Sequence, residues 1–129
     1  MLPENVVKLC PADRVRQDAE AIASIYRNLG TASAEQIVTR ALAELALTMA
    51  TLAEQVRARD LADLARQLRK LQAMGENLGM LSLGQVANDL RVCLERGDAT
   101  AFSAVWARLI RIAERSLAVD RDLMDRSTS

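Results

Sequence analysis

The sequence predicts an all-α fold: an antiparallel up-down four-helix bundle with an additional N-terminal helix. Three observations predict it. Pro3 and Pro11 are the only prolines, and both precede the first periodic segment. Alanine, leucine, arginine, glutamate and glutamine dominate the remainder, residues that lose little freedom in a helix. Between successive breaks the apolar residues recur every three or four positions, which gathers them on one helical face.

Taken in order, residues 13–28 carry Val15, Ala19, Ile22, Tyr26 and, just beyond, Leu29 on one side, and Gly30 is the stop signal. Ser33 with Gln36 has the spacing of a capping box and opens a long helix over 33–57. Its stripe is Val38, Ala41, Leu45, Met49, Leu52 and Val56. Asp60 is an N-cap candidate, with Asp63 in the first turn, where the helix dipole favours a carboxylate. The stripe resumes as Leu61, Leu64, Leu68, Leu71, Gly75 and Leu78, and Gly79 ends it. Ser82 and Gln85 repeat the capping-box spacing before Leu83, Val86, Leu90 and Cys93. Gly97-Asp98 closes that helix and caps the last, whose seam is Phe102, Val105, Leu109, Ile112 and Leu117, with Trp106 and Ile110 at its edge. The tail past Leu123 is expected to fray.

With 129 residues the chain suits one domain over 1–129, its bundle core about 33–119, with 1–12 and 124–129 irregular. Short connections place consecutive helices antiparallel. Seventeen basic and 17 acidic residues cancel, and aromatics are 2%, so the expectation is no nucleic-acid partner. The stretch MLPENVVKLCPADRV lacks the apolar run of a signal peptide, and Glu44 interrupts the most apolar segment, 41–53; the expectation is a cytoplasmic protein with no membrane partner. Cys10 and Cys93 read as reduced thiols, Cys93 on an apolar face.

Chemistry is sparse. The chain has no histidine, which removes a Ser-His-Asp triad, a Cys-His pair and histidine metal ligation. Glu44, Glu54, Asp63, Glu76, Asp89, Glu95 and Glu114 read as scattered solvent-face carboxylates. Gly75, Gly79 and Gly84 flank a helix-helix turn and not the strand-helix junction of a phosphate loop. The expectation is a protein without catalytic residues, metal or cofactor.

Residues 60–95, DLADLARQLRKLQAMGENLGMLSLGQVANDLRVCLE, resemble the signature of the histidine-containing phosphotransfer (HPt) domain. Asp60 matches that family's helix start, Leu71 the apolar residue after its phosphoacceptor, Leu78-Gly79 the helix end and Leu83 the next anchor. Gly97-Asp98 resembles the entry to its final helix, so the resemblance covers about 33–117. The departures fall together at the chemistry: Arg69 stands in the histidine's place, Gln72 in the lysine's and Ala73 in the small glycine's. A guanidinium is always charged and offers no lone pair to a phosphoryl group, so Arg69 does not replace the imidazole.

The resemblance therefore implies a degenerate, non-catalytic HPt-like module of bacterial two-component signalling. It would dock a response-regulator receiver or a histidine kinase without transferring phosphate. The docking face it implies comprises Arg66, Arg69, Lys70, Gln72, Ala73 and Glu76, with Ala62 and Ala65 beside them; its arginine forks suit carboxylate or phosphoryl oxygens. The plainer reading is that these charges are the solvated side of an amphipathic helix. Two further classes stand beside it. One is a structural or dimerisation bundle, with a homodimer seam on the 33–57 helix. The other is a small enzyme or ligand carrier using a pocket between helices.

Overall fold

A computed structural model describes residues 16–128. Five helices account for nearly all of them: α1 (Ala19–Leu29), α2 (Thr31–Ala58), α3 (Leu64–Asn77), α4 (Leu81–Arg96) and α5 (Ala99–Thr128). No strand forms among the described residues; Gln17 and Met80 make an isolated antiparallel bridge. Along the chain from α2 to α5 each helix packs on the next, while α1 packs against α2 and α5. No helix among the described residues is long and apolar enough to cross a membrane.

The core lies where the stripes converge. Ile22 of α1, Leu45 and Leu52 of α2, Leu64, Leu68 and Leu71 of α3, Leu83 and Leu90 of α4, and Leu109 and Ile112 of α5 are all buried. On α2 the stripe is rotated slightly from its expected position. Leu42 and Thr48 are buried, whereas Ala41, Met49 and Val56 are only partly covered. Leu61, expected in the α3 stripe, is 52% exposed because it lies in the turn before that helix.

Helix starts differ from expectation more than helix interiors do, and each difference has a specific cause. The first helix begins at Ala19; residues 13–15 lie outside those described. Arg16 and Gln17 run extended as a short strap against the α3–α4 turn. Arg16 O accepts from Leu81 N (2.9 Å) and Ser82 N (3.2 Å), and Asp18 N donates to Gly79 O at 2.6 Å. Asp18 then caps α1, its side chain accepting from Glu20 N.

Gly30 ends α1 and starts α2 in a single residue. Its N–H donates to Tyr26 O and its carbonyl accepts from Ala34 N. Its φ of 80° and ψ of 163° belong to a region open essentially to glycine alone. Ser33 therefore already lies inside the first turn, and the expected Ser33–Gln36 capping box does not form.

Asp60 does not cap α3, because the chain turns through residues 61–63 before that helix begins at Leu64; the Asp60 N–H instead closes α2. Asp60 N donates to Gln55 O at 2.9 Å and Arg59 N to Val56 O at 3.2 Å, the paired bonds of a Schellman ending. Asp63 takes the N-cap position of α3 instead. At the α2 ending the left-handed residue is Arg59, with φ 56°. An L-residue there costs about 1–2 kcal/mol. Glycine would remove that cost but free the unfolded chain by about 0.4–1 kcal/mol. Arg59→Gly is accordingly expected to stabilise the protein by about 0.5 kcal/mol, read as a higher urea midpoint.

The Ser82–Gln85 box is also absent. Helix α4 starts at Leu81 with no side-chain cap, and Ser82 Oγ instead accepts from Arg16 N at 2.6 Å. Gln85 is exposed and donates to Asp89. The Gly97-Asp98 junction forms as expected: Gly97 closes α4 and Asp98 Oδ1 accepts from Ala101 N at 3.0 Å. Helix α5 continues to Thr128 without the expected fraying past Leu123, since no glycine or proline interrupts 99–128. Cys10 and the expected irregular segment 1–12 lie outside the described residues.

Candidate docking face on α3

Four buried residues, Leu64, Leu68, Leu71 and Gly75, fix how α3 is turned. At about 100° per residue, Arg66 and Ala73 fall nearly opposite them, Arg69 to one side of that line and Lys70 to the other. Arg66, Arg69, Lys70, Ala73 and Glu76 are exposed and Gln72 is half-buried, so α3 brings all six candidate residues to its outer side. Ala65 is half-buried beside them, but Ala62 sits in the turn before the helix and does not continue its face. Asp60, matched to the HPt helix start, lies four residues before the observed one.

The flanks are tied to neighbouring helices. Lys70 Nζ reaches Glu44 Oε1 of α2 at 3.8 Å. Gln72 donates to Glu76 at 3.1 Å, and Gly84 of α4 lies beneath this pair. A Cβ at Gly84 would stand 3.2 Å from Glu76 Cγ, so the small residue lets α4 lie close under the face. Arg66 pairs with Asp63 at 2.5 Å. Asp63 also accepts from Gln67 and from Gln55 of α2, each at 3.2 Å. The Gln67 bond above all, with those from Gln55 and Arg66, holds the Asp63 carboxyl below its ordinary value despite some desolvation.

Arg69 differs from its neighbours. It is exposed near the middle of α3 and makes no ion pair or side-chain hydrogen bond among the described residues. Arg66 and Lys70 each have a carboxylate partner, so Arg69 carries the uncompensated charge of the face. Exposed pairs contribute little to stability. Their consequence here is electrostatic, because they leave one unpaired guanidinium on a surface of small and amide side chains.

Elsewhere the described residues offer little chemistry. No cluster of three or more His, Cys, Asp or Glu side chains that could hold a metal occurs among them. Cys93 is a free, half-buried thiol on an open cleft with Val56, Leu61 and Phe102. Asp63 and Asp89 are half-buried rather than fully solvated. The polar group that sequence reasoning missed is Asp120, fully buried on α5 one turn after buried Ser116. Its signal was legible: Ile112, Ser116 and Asp120 follow one another at i, i+4 along the apolar seam, which puts a carboxylate on the inward face.

Comparison with protein-family models, with curated proteins and with solved structures finds no match.

Proposed function

We propose that this chain is a non-catalytic docking module of the HPt kind in two-component signalling. In this reading α3 presents Arg69 to the acidic pocket of a response-regulator receiver, or to the matching surface of a histidine kinase, and no phosphoryl group passes. The finer architecture that goes with it is an HPt-like up-down four-helix bundle built from α2 to α5, with α1 as an addition.

The observation that carries the reading is Arg69 itself. It is unpaired and exposed at the mid-helix position where the resemblance puts the phosphoacceptor, directly behind buried Leu68 and Leu71. A planar guanidinium there can grip a carboxylate or phosphoryl group through two parallel hydrogen bonds, but it is no nucleophile. The exposed alanine at 73 and the half-buried one at 65 leave room for a partner's backbone to come close.

The test is a titration of the protein against a panel of receiver domains, with and without beryllofluoride as acyl-phosphate mimic. At least one receiver is expected to bind, and Arg69→Ala to weaken that binding by at least about tenfold, the value of a lost charge-assisted pair. If no receiver binds, or binding is indifferent to Arg69→Ala, the docking reading is wrong. The second reading, a dimerisation bundle, draws on Leu47 and Ile37, which leave apolar surface on α2 at 68% and 48% exposure. The mass of the free protein in sedimentation velocity separates the two.

A further inference from the structure

Gln17 and Asp120 meet where the strap crosses α5, and their hydrogen bonding is incomplete in a specific way. Gln17 Nε2 donates to Asp120 Oδ1. Gln17 Oε1 and Asp120 Oδ2 are both shielded from water, and neither has a donor among the described residues. The hydroxyl of Ser116, one turn away, is buried and unpartnered as well, so it does not serve the free carboxylate oxygen. Two planar groups that share one hydrogen bond are thus each left with one bare acceptor. Burying such acceptors is costly, and native interiors rarely leave them unserved.

A single hydrogen resolves both. A carboxylic acid, unlike a carboxylate, has a donor and an acceptor edge, as an amide does. Side by side the two close a ring with two parallel hydrogen bonds. We propose that Asp120 carries a proton in the closed protein and forms this acid–amide pair with Gln17, making a proton-operated latch that holds the strap to α5. When the Oδ2–H bond breaks, the proton passes to water, and a buried carboxylate is left facing the amide oxygen. The pair then loses one of its two bonds and the strap loosens.

The surroundings fit a neutral acid. Burial pushes the Asp120 carboxyl up to about 6, against the pull of the Gln17 hydrogen bond. Among the described residues no cation stands against it. Arg16 and Asp18 of the strap, Glu20 and Arg27 of α1 and Glu35 at the start of α2 are exposed. The first charged residue of α4 is Asp89, and Arg91 is engaged with Asn88 and Glu95. On α5 itself, Glu114, Arg115 and Arg121 face solvent.

The sign follows from linkage. The carboxyl titrates at 3.8 when free and at about 6 when buried, so the closed form binds more protons between those values. The latch is fully engaged below about pH 4 and is lost as pH rises through about 6. The closing equilibrium falls by roughly 100-fold over that window.

Hydrogen exchange of the strap tests this. The Arg16 and Asp18 N–H groups, bonded to Ser82 Oγ and Gly79 O, report closure directly. After correction for intrinsic exchange, their protection in the native sequence is expected to drop at least tenfold between pH 5 and pH 7.5. Asp120→Asn supplies an N–H where the acid supplies its O–H, so its protection is expected to stay constant across that range. Carbon-13 titration of the native Asp120 carboxyl gives an independent reading and is expected near 6. Protection that does not change with pH, a variant that follows the native profile, or a carboxyl titrating near 4 each overturn the latch.

Discussion

Gly79→Ala is expected to destabilise the protein by about 3 kcal/mol, among the largest effects of any single methyl group in this chain. Two costs add. Gly79 has a φ of 76°, where an L-residue is strained by about 1 kcal/mol or more. A Cβ there would also stand 2.3 Å from Asp18 O and 3.0 Å from Ala21 Cβ. The first of these neighbours is backbone and cannot rotate away. It cannot retreat cheaply either, because Asp18 N is bonded to Gly79 O at 2.6 Å. Relief requires the strap to lift and give up its bonds to the α3–α4 turn, each worth about 1 kcal/mol. Urea unfolding measures the loss. A variant with the native midpoint would show that strap and turn do not approach as closely as described.

Leu68→Ala and Arg69→Ala are adjacent in sequence and opposite in consequence. Leu68 is wholly buried between α3 and its neighbours, and its truncation is expected to cost about 3 kcal/mol in lost apolar burial and a residual cavity. Arg69 touches nothing that its removal would orphan, so Arg69→Ala is expected within about 0.5 kcal/mol of the native stability. Thermal or urea denaturation of the pair checks both values. The contrast protects the functional test: binding lost in a variant that unfolds at the native midpoint is lost at the surface. An Arg69→Ala protein destabilised as much as Leu68→Ala would mean that Arg69 belongs to the scaffold.

What was legible in the sequence depended on how local its cause is. The α4–α5 junction was readable because Gly97 and Asp98 act on backbone groups within five residues of themselves. The buried side of α3 was readable because leucines at 64, 68 and 71 share a face whatever packs against them. Capping was misread at Ser33, Asp60 and Ser82 because the point where a helix starts, and what a capping side chain bonds, depend on contacts that sequence spacing does not reveal. Gly30 had already begun the helix before Ser33, α3 begins only after the turn that follows Asp60, and the Ser82 hydroxyl serves Arg16, 66 residues away.

The candidate face divides along the same line. That Arg66, Arg69, Lys70 and Ala73 point outward follows from period alone. That Lys70 is matched by Glu44 of another helix, and Arg69 by no carboxylate among the described residues, depends on how α2 lies beside α3. The strap and the Gln17–Asp120 pair were not foreseen as contacts. A three-residue extended segment has no period to recognise, and its bonds span most of the chain.

Gly30 joins α1 to α2 with no intervening loop, and that economy has a mechanical result. At this end α1 is attached to the bundle through one residue whose torsions few others can adopt; at its other end the strap ties it to the α3–α4 turn, and between the two Ile22 is buried in the core. The helix is a lever with a pivot at Gly30, a catch at the strap and one buried side chain, Ile22, between them. Letting go of the catch removes one hold, and α1 then turns about Gly30 as a rigid arm only at the cost of exposing Ile22. The side of α2 and α5 that it covers would then open together.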